Sequence, residues 1–339
     1  MTFTYYTVLG SFPHSGPADG FDQVILVRGS GLKSTDQVVC QLNNTNVAPV
    51  DVSPTLIQCP MCLPNKDPNA IGLVKFGVQI HGVYNDFGNF YYYEQIKMNS
   101  MIPHIGPSEG KGDIFFAGEL FRDDFPGAQL GCKIGDAVGE AVLSQDKTVM
   151  KCVVEKMPLA KENEPFEAKI ALNSYSWVGT NPPNLFMPYG ITDIQPRSGP
   201  YAGFTDIFIT GGGYTSDIAE FAKCRFGVDE DYAIVEAQVL DFNRMTCRSP
   251  ENFKLPTEGA KSISVPFGIS FGNDEYHPWT IGNNRYMFYE NPYLVQAIPA
   301  EVKIGKMYEI FVKADPNKPY VERKFYFPLF ILLSGTKRS

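Results

Sequence analysis

The chain has 339 residues, with 29 Lys or Arg against 37 Asp or Glu, which gives a formal net charge of −8 at pH 7. This length predicts two or three domains, and the 31 Gly, 26 Pro and 13% aromatic residues predict many short strands joined by tight turns. We do not expect a nucleic-acid partner. Phosphate contacts need clustered basic residues, and the longest cluster of basic residues in the chain is Lys337-Arg338.

One unit recurs three times along the chain. Each copy opens with a strand and a Gly-Pro turn, and a second strand then ends at a glycine. The Gly-Pro pairs are Gly16-Pro17, Gly106-Pro107 and Gly199-Pro200, and the glycines are Gly29, Gly118 and Gly211. Successive copies are about 90 residues apart, which is the length of one small β domain. One helical turn is expected, over 218–223.

The second half of each copy adds two strands that contain cysteine, a late strand and an aromatic closing strand. In copy one the late strand alternates cleanly, with Val74, Phe76, Val78 and Ile80 on one face. The closing strands contain Tyr91–Tyr93 in copy one and Met287–Glu290 in copy three, and Asn184–Tyr189 is a looser match in copy two.

These landmarks divide the chain into repeats at 1–95, 96–189 and 190–292, joined by short linkers near 95–101, 188–191 and 290–294. Short linkers with proline predict that neighbouring domains are held semi-rigidly. Residues 293–339 are interpreted as a partial fourth repeat or tail that is poorly ordered or borrows a neighbour's edge. Met1–Leu9 is interpreted as an edge strand and not a secretory leader. The apolar run Phe325–Leu333 is too short to cross a bilayer.

The Pro-x-x-Gly-Pro turn, the following glycine and the Cys-x-[Phe/Ile]-Gly strand resemble the IPT/TIG domain. This immunoglobulin-like β-sandwich is shared by plexin-type receptors and some transcription factors. The resemblance covers residues 3–292 in three copies, and copy one departs from it at Gln41-Leu42-Asn43. It implies an all-β chain of tandem sandwiches used for spacing and protein contact, without catalytic residues. The cysteine-paired, plexin-like form fits better than the transcription-factor form.

Each copy has two cysteines about 20 residues apart, a spacing that suits one bridge within a domain. The predicted pairs are Cys40–Cys59, Cys132–Cys152 and Cys224–Cys247, and Cys62 is left as a spare thiol. The alternative is that all seven are free thiols in a reducing compartment. The cysteine redox state therefore decides between an extracellular and an intracellular location.

The segment after the late strand is interpreted as a loop rich in aromatic residues. Its binding candidates are Tyr84, Phe87, Tyr175, Trp177, Tyr276 and Trp279. Loops at one end of a sandwich commonly bind ligands, so these rings could contact protein or sugar. The favoured interpretation is that they cover the bottom of the next domain and stiffen the array.

No enzyme, metal or cofactor is expected from the sequence. His14 and His104 precede Gly-Pro turns and are interpreted as surface residues, and no catalytic or phosphate-binding motif is present. The acidic stretches Asp123-Asp124 and 229–231 are interpreted as solvated turn charges, because no calcium-loop spacing supports a site. A single glycosylation sequon, Asn43-Asn44-Thr45, decides nothing by itself.

The expected function is that of a non-enzymatic spacer and protein-interaction segment of a larger multi-repeat protein at a cell surface. Its partners would be other proteins or neighbouring copies of the same array. One alternative is a ciliary or cytoskeletal scaffold with free thiols. The other is a carbohydrate-contacting accessory module of a polysaccharide-acting enzyme.

Overall fold

The computed structural model describes residues 5–19, 23–61, 71–110, 112–162, 164–228, 231–253, 262–272, 278–280, 282–290, 294–298 and 311–314. Over these residues the protein is an all-β chain of tandem immunoglobulin-like sandwiches, as predicted, with one 3-10 helix at Ser216–Phe221. In the same part of the chain, no helix is long and apolar enough to span a membrane.

Unit 1 is the sandwich formed by residues 7–93. Its strands are β1 (Thr7–Phe12), β2 (Ser15–Pro17), β3 (Val24–Ser30), β4 (Val38–Leu42), β5 (Thr45–Val47), β6 (Asp51–Ser53), β7 (Leu56–Pro60), β8 (Gly72–Ile80) and β9 (Val83–Tyr93). One sheet has the order β1-β3-β7-β6 and the other has the order β2-β9-β8-β4-β5. As predicted, Phe76, Val78 and Ile80 of β8 face the core.

Units 2 and 3, residues 97–189 and 190–289, repeat this plan. Unit 2 contains β10 (Lys97–Ile102), β11 (Ile105–Pro107), β12 (Asp113–Glu119), β13 (Gly131–Ile134), β14 (Ala137–Leu143), β15 (Val149–Val153), β16 (Phe166–Ala171) and the first half of β17 (Leu185–Gln195). Unit 3 contains the second half of β17, β18 (Ser198–Pro200), β19 (Asp206–Gly212), β20 (Lys223–Val228), β21 (Asp231–Asp241), β22 (Arg244–Arg248), β23 (Ser262–Ser270) and β24 (Arg285–Tyr289).

Two of the predicted linkers are wrong, because the chain is in strand there. Residues 97–101 belong to β10, and residues 188–191 lie in the middle of β17. β17 pairs with β11 and β16 in unit 2 and then with β19 in unit 3. The connection between units 2 and 3 is therefore a continuous strand.

The Gly-Pro segment of each unit carries the chain from one sheet to the other. β1 pairs antiparallel with β3, and β2 then pairs in parallel with the closing strand β9. β11 and β18 make the same parallel pairing with β17 and β24. Each Gly-Pro glycine faces an aromatic ring of the closing strand, namely Phe90, Phe186 and Tyr286 in turn. A Cβ would collide with the Phe186 ring at Gly106 and with the Tyr286 hydroxyl at Gly199. At Gly16 it would collide first with Met61 Sδ, with the Phe90 ring close behind, so each position requires glycine.

The glycine that ends the second strand of each unit lies against the backbone of the first strand. A Cβ at Gly29, Gly118 or Gly211 would meet the carbonyl oxygen of Thr7, Lys97 or Gly190, respectively. The backbones therefore approach too closely for any side chain at these three positions.

Unit 1 differs from the others in one strand. In units 2 and 3 the long strands β14 and β21 each pair on both sides, with β13 and β15 and with β20 and β22. In unit 1 the corresponding stretch is broken into β5 and β6, with Pro49 between them. Proline has no N–H to donate to a ladder. Among the strands that the structure describes, both sheets of unit 1 therefore end on short open strands.

The departure of copy one from the glycine pattern has a conformational reason. Asn43 occupies the position of Gly135 and Gly227, three residues after the first cysteine, and all three have positive φ, at 52°, 58° and 90°. Asn enters this left-handed region more readily than other residues with a side chain. The residue changes while the turn is kept.

Each unit has its own hydrophobic core crossed by one disulfide. The three bridges are those predicted, Cys40–Cys59, Cys132–Cys152 and Cys224–Cys247, with Cα–Cα distances of 5.7, 6.1 and 6.5 Å. Cys62 lies outside the described residues. Of residues 293–339, the structure describes an antiparallel pair, β25 (Leu294–Ile298) and β26 (Phe311–Ala314). The prediction that the tail is poorly ordered or borrows a neighbour's edge concerns residues that otherwise lie outside the described part of the chain.

Candidate functional site at the junctions between units

The closing strand of unit 1 contributes aromatic rings to the core of unit 2. Tyr93 is only 2% exposed and belongs to that core together with Phe125. The Phe125 ring stacks on Tyr91, with centroids 5.1 Å apart and planes at 12°, and also lies 5.1 Å from the Tyr93 ring. The Arg122 guanidinium lies 5.8 Å from the ring centroids of both Tyr91 and Phe125. Units 1 and 2 therefore share a packed aromatic cluster.

A buried amide forms the polar half of the same junction. Asn173, 2% exposed, donates through Nδ2 to the carbonyl oxygen of Ser15 at 2.6 Å and to Ser176 Oγ at 3.0 Å. Its Oδ1 accepts from the backbone N–H groups of Tyr175 at 3.1 Å and Ser176 at 2.7 Å. Ser15 Oγ donates to the Gly127 carbonyl oxygen at 3.1 Å. Asn173 thus stabilises its own turn through Oδ1 and joins that turn to unit 1 through Nδ2.

The aromatic residues of the unit 2 loop pack backward along the chain. The Tyr175 ring meets Phe12 edge-on, with centroids 5.5 Å apart, and packs against the unit 1 core. Trp177 instead lies over Gly131 of β13, where an added Cβ would be 3.2 Å from its ring. For Tyr175 the expected direction of packing is wrong, because the ring covers the preceding unit and not the next one.

The junction between units 2 and 3 is built in a related way. Tyr189, fully buried in the unit 3 core, donates its hydroxyl to the Pro278 carbonyl oxygen at 2.6 Å. Its ring lies 5.0 Å from Phe271 in an edge-on arrangement. Tyr214 packs on Phe271 and donates to the Gly190 carbonyl oxygen at 2.8 Å. Tyr189 occupies the position in β17 that Tyr93 occupies in β9.

Burial sets the proton affinity of these tyrosines. Burial raises the pKa of Tyr93 well above its ordinary value, and a hydrogen bond with Ser176 offsets part of that rise. Burial also raises the pKa of Tyr189, with a hydrogen bond to Ser270 opposing the change and nearby Glu109 adding to it. The phenols therefore stay neutral and keep donating their hydrogen bonds across a wide pH range.

The copy-one candidates lie on a strand and not in a loop. Ile80 pairs with Val83, so the connection is the two-residue turn His81-Gly82, with φ of 49° and 84°. Tyr84 and Phe87 consequently lie on β9. The Tyr84 ring covers Gly77, and Phe87 stacks on Phe76 at 5.7 Å.

In unit 3, Trp279 joins a cluster on the protein surface. The Arg225 guanidinium lies 4.7 Å from the Tyr232 ring centroid and 5.9 Å from that of Trp279. Tyr232 is 51% exposed, and Ile234 beside it is 44% exposed. We call these four residues the unit 3 aromatic face. Tyr276 lies outside the described residues.

The acidic pair that could have suggested calcium is held by basic side chains. Lys147 Nζ lies 3.9 Å from Asp123 and 3.3 Å from Asp124, and Arg122 Nε lies 2.9 Å from Asp124. The hydrogen bonds from Arg122 and Lys147 lower the pKa of Asp124. Among the described residues no group of three or more His, Cys, Asp or Glu side chains could share a metal ion. Of the stretch 229–231, Asp231 alone is described, at the start of β21.

Sequence reasoning missed the residues that make the first junction, Phe125, Arg122 and Asn173. The bridge from Asn173 to Ser15 joins positions 158 residues apart. No local pattern specifies such a contact. The one available signal was Asn followed by Ser-Tyr-Ser, which is typical of a turn shaped by a side-chain amide.

The first unit matches a known family model. Residues 7–92 match the family model of the IPT/TIG domain. A probable serine/threonine-protein kinase, drkC of Dictyostelium discoideum, is 26% identical over 135 residues, which cover 34% of this chain and 18% of that protein. The chain thus spans less than a fifth of that relative.

Two solved structures are also similar. The plexin A4 full extracellular region is 15% identical, with 93% of this chain and 29% of that chain covered and a TM-score of 0.35. A Bacteroides ovatus SGBP-B from a mixed-linkage glucan utilization locus, in complex with a mixed-linkage heptasaccharide, is 12% identical. That match covers 92% of this chain and 73% of the other, with a TM-score of 0.21.

Proposed function

We propose that this chain, whose residues 7–92 form an IPT/TIG domain, is a non-enzymatic interaction segment that holds binding surfaces in a fixed arrangement outside the cell. The observation that carries the proposal is the junction between units 1 and 2. Buried rings and a buried amide are shared there, so bending would expose apolar surface and break hydrogen bonds. Such joints suit a spacer whose binding surfaces keep their separation.

The three disulfides support a location in an oxidising compartment. Bridges of this kind persist in secreted and cell-surface proteins and are rare where glutathione keeps thiols reduced. Every unit carries one across its core. This favours the extracellular setting over the intracellular scaffold with free thiols.

The unit 3 aromatic face is the surface that best fits a protein partner. Trp, Tyr and Arg are the residue types that most often dominate the energetics of interfaces. Here the Arg225 guanidinium lies over the rings of both Tyr232 and Trp279, and the exposed Ile234 extends the apolar area. A side chain already held by its neighbours loses less conformational entropy when a partner binds.

A photo-crosslinking residue at position 232 tests this assignment in cells that make the protein. We expect a discrete covalent product with another extracellular protein or with a second copy of the chain. The matched control is the same residue at Phe208, which is 59% exposed on β19, in the other sheet of unit 3. Products of equal yield at both positions, or none at 232, would contradict a dedicated binding face.

A second candidate function is contact with glycans at the same face. The observation in its favour is the half-buried Trp279 ring beside Arg225, because an aromatic ring that offers one face and neighbouring donors is suited to sugars. Binding of the intact chain to immobilised polysaccharides, lost in Trp279→Ala, would support this reading. No retention of the intact chain would exclude it in favour of the protein-binding role.

A further inference from the structure

Unit 1 has an open sheet edge that its neighbours lack. Among the described strands, β5 pairs only with β4, and β6 pairs only with β7. The equivalent strands of units 2 and 3 are paired on both sides. Thr45 and Asn46 of β5 are exposed. An open strand of this kind can pair with another chain unless something covers it.

A glycosylation sequon lies at the start of this edge. Asn43, in the turn between β4 and β5, is exposed, and Thr45 is the first residue of β5. Asn43 Oδ1 accepts from the Lys75 backbone N–H at 2.8 Å. Its Nδ2 makes no hydrogen bond to any described residue and is the atom that N-glycosylation modifies.

Comparison of the three units shows that the turn at position 43 does not require the sequon. Gly135 and Gly227 hold the same left-handed position without any side chain. The backbone N–H at this position still joins the neighbouring strand, since Asn43 donates to the Lys75 carbonyl oxygen and Gly135 to that of Glu167. Glycine at position 43 would therefore keep the turn and its backbone hydrogen bond, and would lose only the bond from Lys75 N–H to Asn43 Oδ1.

We propose that Asn43 carries an N-linked glycan that covers the open β5 edge. The inference rests on the extracellular location proposed above. In the transfer, a bond forms between Asn43 Nδ2 and the anomeric carbon of an oligosaccharide supplied by a lipid pyrophosphate donor. The bond from that carbon to the pyrophosphate oxygen breaks, the lipid pyrophosphate leaves, and the amide nitrogen loses one proton to a base of the transferase.

The glycan explains how the edge is protected. Unit 1 lacks the through-running strand that closes units 2 and 3, because Pro49 interrupts it. A hydrated oligosaccharide anchored at Asn43, two residues before the exposed Thr45, excludes a second chain from that edge by volume. The sequon is thus placed where the fold is open to strand addition.

The test is the intact mass of the full chain isolated from its own cells, before and after peptide N-glycosidase. We expect the enzyme to remove an oligosaccharide and to convert Asn43 to an aspartate. Asn43→Gly and Thr45→Ala should abolish the mass difference, while Thr45→Ser, which keeps the sequon, should retain it. Asn43→Gly is the variant that keeps the turn, because glycine is the residue at this position in the other units.

The same spectra distinguish failure of this inference from failure of the proposed location. Three disulfides without a glycan would overturn the Asn43 proposal and leave the extracellular role standing. Free thiols throughout would overturn both. After enzymatic removal of the glycan we also expect concentration-dependent self-association. A deglycosylated chain that stays monomeric at all concentrations would overturn the shielding role.

Discussion

The substitution Asn173→Asp should remove the hydrogen bond that the Asn173 side chain makes to unit 1 and keep the hydrogen bonds that it makes within its own turn. A carboxylate oxygen can still accept from the backbone N–H groups of Tyr175 and Ser176, as Asn173 Oδ1 does. The second oxygen cannot donate to the Ser15 carbonyl oxygen, which lies 2.6 Å from Asn173 Nδ2. The variant therefore keeps the local turn and loses the hydrogen bond between units.

The magnitude follows from burial. An unpaired buried carbonyl costs about 1–3 kcal/mol, and a carboxylate charge at a site only 2% exposed adds a desolvation cost. We expect the free energy of opening the junction to fall by about 3 kcal/mol, which is roughly a hundredfold change in the opening equilibrium. The loss should shrink in acid, because the protonated acid can donate to the Ser15 carbonyl oxygen as Asn173 Nδ2 does.

Hydrogen exchange at the Ser176 amide is the assay, because its acceptor is kept in the variant. Exchange should be roughly a hundredfold faster near neutral pH, and after correction for intrinsic rates the difference should shrink in acid. Asn99→Asp, an exposed position on β10, is the matched control for charge. Equal exchange in the two variants would refute the role of the Asn173–Ser15 bond in holding the units together.

Three further outcomes are expected. Gly118→Ala should destabilise unit 2 by about 1–3 kcal/mol in denaturant titrations, because the new Cβ meets a backbone oxygen and must displace a strand; Gly10→Ala, with no atom within 4 Å of the added Cβ, should stay near wild type. Replacing Cys132 and Cys152 together by Ser should cost about 3 kcal/mol, as expected for a closed loop of about 20 residues; full stability without the bridge would contradict this. The raised pKa of Tyr189 means that its contribution to stability is complete below about pH 10 and falls as the pH rises above it. Phenolate absorbance should appear later for this residue than for exposed tyrosines, and a Tyr189→Phe variant with an unchanged alkaline transition would show that burial of this phenol does not drive it.

The features set by local rules could be predicted from the sequence. Alternating residues such as Val78 and Ile80 specify a half-buried strand, and the cysteine spacing specifies one bridge per unit. The glycine recurrences were visible as a pattern. Their cause was not, since the ring over Gly106 comes from Phe186, 80 positions further along the chain.

Two of the wrong predictions, the loop at Tyr84 and Phe87 and the linker at 188–191, have different physical origins. His81-Gly82 forms a two-residue hairpin turn without the usual Asn-Gly sequence, so the sequence alone predicts a loop at Tyr84 and Phe87. Pro188 suggested a linker, yet it is accommodated in β17 opposite Gly106 in a short parallel pairing at the edge of a sheet. Contacts between units depend on tertiary packing, which periodicity does not encode.

Residual dipolar couplings of the full chain, measured for backbone amides in the three units, test the central claim most directly. If the junctions hold the units as one body, a single alignment tensor will fit the couplings of residues 7–93, 97–189 and 190–289 together. Three tensors of different magnitude would show independent motion of the units and contradict the proposed function as a semi-rigid array.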